Sequence, residues 1–422
     1  MRSCETSDFA LFKLLTFPEF LIAFISGFLM LLQVPNLLFK NARLVFPDRI
    51  EQRGDLRVAE GRIAAIAPSL MPEPGDMVQE LGGRYLAPGF IDLHIHGALG
   101  RDAMEASAEA FETICQYHAR GGTTALALTT VAAPTPEIVA VLRAAEAYRS
   151  EAHEGAQLLG VHVEGPYFSP QKQGAHRPDL IRNPAPDDYA PLLEWAHAMT
   201  QMTLAPELPG ALGLIEALRA RGVRVSGGHS DAWDEEACAA FVHGMEGVTH
   251  TFNCMASARR RGPYRVAGLL EFALSEPGIM CELIADGRHV SPTLMRMLYH
   301  AKGPDGIVLV TDASAGAGLP EAATFRLGEI DCVVRDGVGF TADGTALAGS
   351  TSSMIHLVRT LVRAAGLPLV EALRMASLNA ARALKLPRKG ILTPGADADL
   401  VLLSEDLEVV ATFVQGRRVH RV

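Results

Sequence analysis

The 422-residue sequence lacks several features that would identify common classes of protein. Its six cysteines contain no C-x-x-C pair and no closely spaced framework, so we expect free thiols in a reducing, cytoplasmic compartment. Basic residues number 38 against 48 acidic ones, and the net charge of −10 excludes the global basic surface of a nucleic-acid-binding protein. A small anionic substrate stays compatible with this charge, because local positive groups can dominate the field inside a cleft.

Charge is also missing from one long stretch near the N-terminus, from Phe20 to Phe39. Its length approaches the roughly 20 residues that a helix needs to cross a bilayer. Three interpretations are open: a membrane anchor, a signal peptide, or a non-native extension with Met30 as the working start. Glu5 and Asp8 argue against a signal peptide, because its N-terminal region is normally positively charged. We favour the extension, with a membrane tether as the alternative to a fully cytoplasmic protein.

The remainder divides into two β-rich ends and a long α/β middle. Short alternating segments between Gly and Pro breaks predict one small β-sandwich domain from residues 34–87 and 387–422, with residues 1–33 as the extension. Residues 88–386 repeat a short apolar strand followed by a helical stretch, with eight strand candidates. Eight such units favour a closed (β/α)8 TIM-type barrel over an open doubly wound sheet. No G-x-G-x-x-G follows the first strand, so a dinucleotide-binding fold has no support.

Side chains that can bind a metal ion or transfer a proton follow most of these strand candidates. They are His94 and His96 after the first strand, Glu164 after the third, His229 after the fifth, His250 after the sixth and Asp312 after the eighth. In a barrel of this kind the carboxyl ends of the strands form one rim, where active sites are built. Imidazole nitrogens and carboxylate oxygens suit a divalent ion such as Zn²⁺. Each residue alone has a structural explanation, such as a hydrogen-bonded core histidine or a helix-capping aspartate, but the ordered set favours a metal centre.

Several motifs carry a family resemblance. They are PGFIDLHIHG (88–97), GVHVEGPYFSPQKQGAHRP (160–178), TLAPE (203–207), SGGHS (226–230), THTFNCM (249–255), IADGRHV (284–290), VTDASAGAG (310–318) and LAGST (347–351). The first resembles the metal motif of the amidohydrolase superfamily, and the others resemble the N-acetylglucosamine-6-phosphate deacetylases. The resemblance extends over about residues 36–422.

The resemblance implies roles for individual residues. Glu164, His229 and His250 would bind the principal metal, most favourably zinc with iron, cobalt or manganese as alternatives, and His94 and His96 would complete a second site. Asp312 would act as general base and then acid, and His176 would polarise the acetamide carbonyl. The substrate would be contacted by Ala175, His176, Asn253, Cys254, Arg261, a His289 contributed by the partner of a homodimer, and the stretch Leu347, Ala348, Gly349 and Ser350.

Two positions depart from the family pattern. An arginine run replaces the usual Arg-x-Pro-Gly, so any of Arg259, Arg260 and Arg261 could meet the phosphate, and a solvated basic loop is the alternative. Cys254 stands where a small residue such as alanine is usual, and we interpret it as a packing neighbour rather than a nucleophile.

The expected reaction is hydrolysis of the acetamide of N-acetyl-D-glucosamine 6-phosphate, in amino-sugar catabolism. One alternative is the same chemistry on the 4-epimer, N-acetylgalactosamine 6-phosphate, and another is an amidohydrolase acting on a different N-acyl substrate. The non-enzyme alternative is a silent barrel that acts as a scaffold or sugar-phosphate sensor.

Overall fold

The computed structural model describes residues 36–151 and 153–422, so the expectations for the N-terminal extension, residues 1–33, lie outside the described residues. Within these ranges no helix has both the length and the apolar character needed to cross a membrane.

The described chain forms 24 strands, numbered here in chain order. They are β1 Leu37–Val45, β2 Ile50–Ala59, β3 Arg62–Ala67, β4 Met77–Glu80, β5 Tyr85–Pro88, β6 Phe90–Ile95, β7 Gly97–Ala98, β8 Arg101–Asp102, β9 Thr123–Thr129, β10 Gln157–Glu164, β11 Met199–Leu204, β12 Arg224–Gly227, β13 Gly247–Val248, β14 Arg259–Arg261, β15 Tyr264–Val266, β16 Met280–Leu283, β17 Ile307–Leu309, β18 Thr324–Leu327, β19 Ile330–Arg335, β20 Val338–Thr341, β21 Leu347–Ser350, β22 Leu400–Leu403, β23 Val409–Val414 and β24 Arg417–Arg421.

The α-helices of the same ranges are α1 Ala108–Arg120, α2 Thr135–Arg149, α3 Pro186–Glu194, α4 Ala211–Arg219, α5 Asp234–His243, α6 Leu269–Ser275, α7 Pro292–Lys302, α8 Met354–Arg363, α9 Leu369–Met375 and α10 Leu378–Ala383. Local sequence explains where several of them begin. The Ser107 hydroxyl accepts a hydrogen bond from the Ala110 amide and caps α1, and Pro292 stands at the first position of α7, where a missing N–H costs nothing.

Strands from both ends of the described chain form one sheet, in the order β24-β23-β22-β5-β1-β2-β3, with β4 beside β1. Its apolar face includes Phe39 and Phe413, whose rings meet edge to face at 5.1 Å. The β domain predicted from both chain ends is therefore confirmed as a sheet domain, while the division into residues 34–87, 88–386 and 387–422 stays a prediction.

The middle of the chain forms a parallel eight-stranded sheet in the order β17-β16-β13-β12-β11-β10-β9-β6. It closes because Ile95 at the end of β6 bridges Ala313 after β17, and the His96 amide donates to the Ala313 carbonyl at 2.8 Å. All eight predicted strand candidates coincide with these strands. The (β/α)8 barrel is confirmed, and the open doubly wound alternative is wrong.

Three β segments within the described barrel region were not predicted. They are the short hairpin β7–β8 after the first barrel strand, the hairpin β14–β15 after the sixth, and the antiparallel sheet β18–β21 after the eighth. The sheet β18–β21 returns to the barrel, since Ser350 at the end of β21 bridges Ala313. The stretch Leu347–Ser350, predicted to line a sugar, is therefore a strand that contacts the barrel rim.

Candidate metal centre

The predicted metal ligands and Asp312 converge at the carboxyl ends of the barrel strands. Glu164 is the last residue of β10, and its side chain is only 2% exposed. The Nε2 atoms of four histidines lie close to its oxygens, with distances of 3.5 Å for His94, 3.3 Å for His96, 3.4 Å for His229 and 3.2 Å for His250. Two groups able to hold a metal ion share this carboxylate: His94, His96 and Glu164 on one side, and Glu164, His229 and His250 on the other.

Three of these residues leave their strands in a left-handed backbone conformation. The φ angles are +48° at His229, +33° at His250 and +49° at Asp312. A residue other than glycine seldom adopts this region, and such residues cluster at functional sites. The left-handed backbone at His229, His250 and Asp312 therefore marks the rim after β12, β13 and β17 as a candidate functional site.

The hydrogen bonds of the histidines test whether a cation fits. Nδ1 of His229 lies 2.8 Å from the Lys172 carbonyl oxygen, and Nδ1 of His96 lies 3.2 Å from the Thr129 carbonyl oxygen. Both Nδ1 atoms must donate, because a carbonyl can only accept. The Nε2 atoms of these rings, when neutral, then carry lone pairs directed at Glu164. An outer acceptor that fixes the ring in this way is the usual arrangement around a metal-bound histidine.

Close contacts between rings support the same conclusion. Nε2 of His94 lies 3.2 Å from Nε2 of His96, and Nε2 of His250 lies 3.0 Å from Nε2 of His229. His94 and His96 both donate through Nδ1, to Glu282 and to the Thr129 carbonyl, so their neutral rings would oppose lone pairs at Nε2 unless a proton or a metal ion lies between them. In addition, Oε1 of Glu164 is buried without a hydrogen-bond partner among the described residues. The donor set therefore fits a divalent cation.

The electrostatics of the centre also favour added positive charge. Burial alone would lower the pKa of the ring of His96, but the carboxylates of Asp312 and Glu164 raise it to about 9. Burial likewise opposes protonation of His229, yet neighbouring Cys254 and Glu164 raise its pKa to about 10. Burial raises and the surrounding histidines lower the pKa of Glu164, and the net result is well below its ordinary value. Anionic oxygens in a dry site therefore attract cations, whether protons or metal ions.

Asp312 stands at the edge of the cluster. Its Oδ1 lies 3.2 Å from Nε2 of His96 and 3.5 Å from Nε2 of His94. Burial would raise the pKa of this carboxyl, but the charge of His94 and the hydrogen bond with His96 lower it below its ordinary value. Its backbone is fixed on both sides, because its amide donates to the His94 carbonyl at 2.9 Å and its carbonyl accepts from the Ser350 amide at 2.8 Å. Asp312 is therefore an ionised acceptor held at the predicted metal ligands.

His176 approaches the same carboxylate from the loop after β10, with Nε2 at 3.6 Å from Oε2 of Glu164. The Ala132 amide donates to its Nδ1 at 3.2 Å, so the proton of the neutral ring is on Nε2. Burial, followed by the charge of His229, holds the pKa of His176 well below its ordinary value. The ring is therefore a neutral N–H donor aimed at the centre.

The predicted substrate-binding residues occupy different parts of the rim. The Asn253 amide group donates to the His250 carbonyl at 3.3 Å, and Cys254 lies beside the loop before His176, where a Cβ on Gly174 would come within 2.8 Å of its Sγ. Ala175 packs against the apolar cluster of β18–β21, and with His176 it borders a cavity of about 830 Å³. Their contacts with a substrate stay predictions.

His289 and the arginine run are engaged elsewhere. Nδ1 of His289 donates to Oδ2 of Asp286 at 2.7 Å within the same chain, and its side chain is 4% exposed. Arg261 is exposed on the hairpin β14–β15, where it pairs with Glu235 at 2.5 Å and lies 4.0 Å from the centre of the Trp233 ring. Arg259 lies over the same ring, and Arg260 is exposed. The assignment of His289 to a partner's site and the choice among the arginines stay predictions.

Sequence reasoning missed the polar residues beneath the centre. Glu282, in the middle of β16, is fully buried, and its Oε2 lies 3.4 Å from Nδ1 of His94. Burial opposes its ionisation, but its contact with His94 lowers the pKa of Glu282 to about 2. The signal was a charged residue inside the seventh of the eight apolar strand candidates, IMCELIADG (279–287), and the pattern did not decide whether its side chain points into or out of the barrel.

Comparisons with known proteins agree with this geometry. Residues 85–419 match the amidohydrolase family. An N-acetylgalactosamine-6-phosphate deacetylase of Escherichia coli O157:H7 is 37% identical, covering 86% of this chain and 93% of the relative. An N-acetylglucosamine-6-phosphate deacetylase of Vibrio furnissii is 34% identical, covering 90% and 94%. The solved structure of a variant N-acetyl-D-glucosamine-6-phosphate deacetylase from Mycobacterium smegmatis, in complex with N-acetyl-D-glucosamine-6-phosphate, is 31% identical with a TM-score of 0.84, covering 91% and 99%.

Proposed function

Because the chain belongs to the amidohydrolase family and is a hydrolytic enzyme, we propose that it removes the acetyl group from N-acetyl-D-glucosamine 6-phosphate. The products are glucosamine 6-phosphate and acetate. One observation carries the proposal: an ionised Asp312 lies against His96, and a neutral N–H donor on His176 faces the carboxylate of Glu164, which two sets of metal-competent histidines share.

Glu164, His229 and His250 would hold one divalent ion, and Glu164, His94 and His96 would hold a second. We propose zinc, which suits imidazole and carboxylate ligands. When bound, the ion supplies a water whose pKa is lowered enough for nucleophilic attack near neutral pH. The chain's own contribution is to fix the ligands, exclude bulk water and move protons.

Proton transfer falls to Asp312. Its lowered pKa keeps it ionised at neutral pH, so its Oδ1 can accept a proton from the attacking water. The same carboxyl then donates that proton to the amide nitrogen as the C–N bond breaks. Its two backbone hydrogen bonds, to His94 and from Ser350, hold it in place for both steps.

His176 acts on the carbonyl. Its Nε2–H donates to the acetamide oxygen, and this hydrogen bond strengthens as negative charge develops on that oxygen in the tetrahedral transition state. The rest of the substrate would extend across the rim toward Asn253, the backbone of Cys254, and His289. An arginine of the β14–β15 hairpin would meet the phosphate, and a homodimer would complete the site. The free cysteines of the described chain are compatible with a reducing, cytoplasmic setting.

The proposal is tested by acetate release from zinc-loaded protein. N-acetylglucosamine 6-phosphate should be hydrolysed, and unphosphorylated N-acetylglucosamine should react far more slowly. Asp312→Asn should reduce turnover by at least 10² while substrate and zinc still bind, because only the proton-transfer group is lost. Full activity in that variant would contradict the mechanism.

A second candidate substrate is the 4-epimer, N-acetylgalactosamine 6-phosphate. It is favoured by the 37% identity to the deacetylase from Escherichia coli O157:H7 that is named for that sugar. The ratio of kcat/KM values for the two phosphosugars decides between the epimers, and it leaves the metal chemistry unchanged.

A further inference from the structure

A carboxylate lies inside the barrel, directly beneath the metal centre, and the mechanism above does not use it. This is Glu282 on β16, the seventh barrel strand, and its side chain has no solvent exposure. We propose that Glu282 is a positioning residue that acts through His94 to set the affinity of the ion held by Glu164, His94 and His96. The inference rests on the metal centre of the proposed function, but not on the identity of the substrate.

The contacts of Glu282 are directional. Its Oε2 lies 3.4 Å from Nδ1 of His94, so the ring donates to it there and turns Nε2 toward Glu164. Its Oε1 accepts a hydrogen bond from Nε2 of Gln201 at 2.8 Å. Arg224 lies 3.7 Å from the same oxygen and donates to Oε1 of Gln201 at 2.5 Å. Gln201 and Arg224 therefore orient the Glu282 carboxylate and partly balance its negative charge at Oε1, which leaves Oε2 to accept from His94.

His94 differs in this respect from the other histidine ligands. Nδ1 of His96 and Nδ1 of His229 donate to backbone carbonyls, and Nδ1 of His250 has no partner among the described residues. Only the His94 ring, among these four described ligands, has an anionic outer partner. An anionic partner makes the ring more basic and so a stronger ligand, whereas a backbone carbonyl mainly fixes its orientation. Loss of Glu282 should therefore weaken one of the two ions selectively.

The effect should be large enough to measure directly. Removing an outer-shell partner of a metal-bound histidine typically lowers metal affinity by about 10- to 100-fold. Glu282→Gln keeps the shape of the side chain and removes its charge. We expect the ion of the Glu164–His94–His96 group to bind about 10- to 100-fold more weakly, and the ion of the Glu164–His229–His250 group to keep its affinity within a few-fold.

The experiment counts zinc per chain in metal-depleted protein equilibrated with chelator-buffered zinc over a range of free concentrations. Wild type should reach two equivalents, and Glu282→Gln should lose the second at intermediate zinc. Asp399→Asn is the matched control, because Asp399 is also a buried, ion-paired carboxylate but contacts Lys389 in a region away from the histidines. It should keep both ions. Gln201→Met, which removes the 2.8 Å hydrogen bond to Glu282, should give a smaller shift and replaces Glu282→Gln if that variant does not fold.

A double-variant cycle identifies the route. In a His94→Asn background the additional change Glu282→Gln should have no further effect on zinc content, because Glu282 acts through the His94 ring. Three outcomes overturn the inference: wild type that binds a single ion, a folded Glu282→Gln protein with unchanged zinc affinity, or an equal loss of both ions. Selective loss of one ion in a protein that hydrolyses no phosphosugar would leave this inference standing and refute the proposed substrate.

Discussion

Replacing His176 distinguishes two roles that a histidine can have at this centre, a neutral hydrogen-bond donor and a titrating base. The structure makes it a neutral donor, because the Ala132 amide occupies Nδ1 at 3.2 Å and burial, with the charge of His229, lowers its pKa. Its side chain is 5% exposed, so water has little room to replace the lost donor. Loss of one such donor typically reduces kcat by about 10²–10³, or about 2.7–4 kcal/mol of transition-state stabilisation. We expect His176→Ala to fall near the upper end of that range, with a much smaller change in KM.

The pH dependence distinguishes the donor from a titrating base. Since the pKa of His176 is well below its ordinary value, the ring is neutral at neutral and alkaline pH, where Asp312 is ionised. His176→Ala should therefore lower log kcat by the same amount at every pH between about 6 and 9, without moving the limbs of the profile. His197→Ala is the matched control, because His197 is 57% exposed on its side chain and pairs with Glu146. A loss below tenfold, or a displaced acid limb, would refute this account of His176.

Two further predictions concern stability. Burial lowers the pKa of His118 to about 4, below the roughly 6.5 of a histidine in an unfolded chain. Between these two pKa values the unfolded state binds more protons than the folded state. The stability that the neutral ring contributes is therefore present above pH 6.5 and is lost as the pH falls toward 4. Between pH 7 and pH 5, the free energy of unfolding measured with urea should fall by about 2 kcal/mol less in His118→Gln than in wild type. An equal fall in both proteins would contradict the lowered pKa of His118. Gly89→Ala should destabilise the protein by about 1–3 kcal/mol, because the new Cβ would lie 2.1 Å from Cγ2 of Thr124. Gly213→Ala in α4 meets nothing within 4 Å and should stabilise by about 0.5–1 kcal/mol, so a similar loss in both variants would show that crowding at Thr124 is not the cause.

The barrel was predictable because its strands repeat a strong local signal. Each apolar run from PGFIDLHIHG to IVLVTDA ends at a polar side chain, and the topology of a closed parallel barrel brings all such ends to one rim. The convergence of His94, Glu164 and His250 therefore follows from chain order and strand period alone. No distance had to be known in advance to expect these residues together.

The unpredicted parts depend on information that strand period does not contain. The strands of β18–β21 are four to six residues long, and β18 and β19 carry polar residues on their exposed side, so the sequence of this segment resembles the connecting loops of the barrel. Whether Glu282 points into the barrel depends on the tilt of β16. The proton positions on His94 and His176 depend on acceptors and donors supplied by Glu282 and Ala132, which are remote in sequence.

The strained backbone at the rim explains how such remote segments determine the centre. Left-handed conformations of non-glycine residues cost about 1–3 kcal/mol each, and they persist only where the surroundings fix them. The carbonyls of His229, His250 and Asp312 each accept from a backbone amide. The Ser169 amide donates to His229 at 2.9 Å and the Ser350 amide to Asp312 at 2.8 Å, both from remote segments, whereas the Asn253 amide donates to His250 at 2.9 Å within the same loop. Those donors belong to the loop after β10, the loop after β13 and the last strand of the β18–β21 segment. The loops and the inserted sheet therefore hold the two predicted metal ligands and the predicted proton-transfer carboxylate in backbone conformations that residues other than glycine seldom adopt. Because this strain is already present in the folded chain, we expect the predicted ligands to need little rearrangement to receive a metal ion.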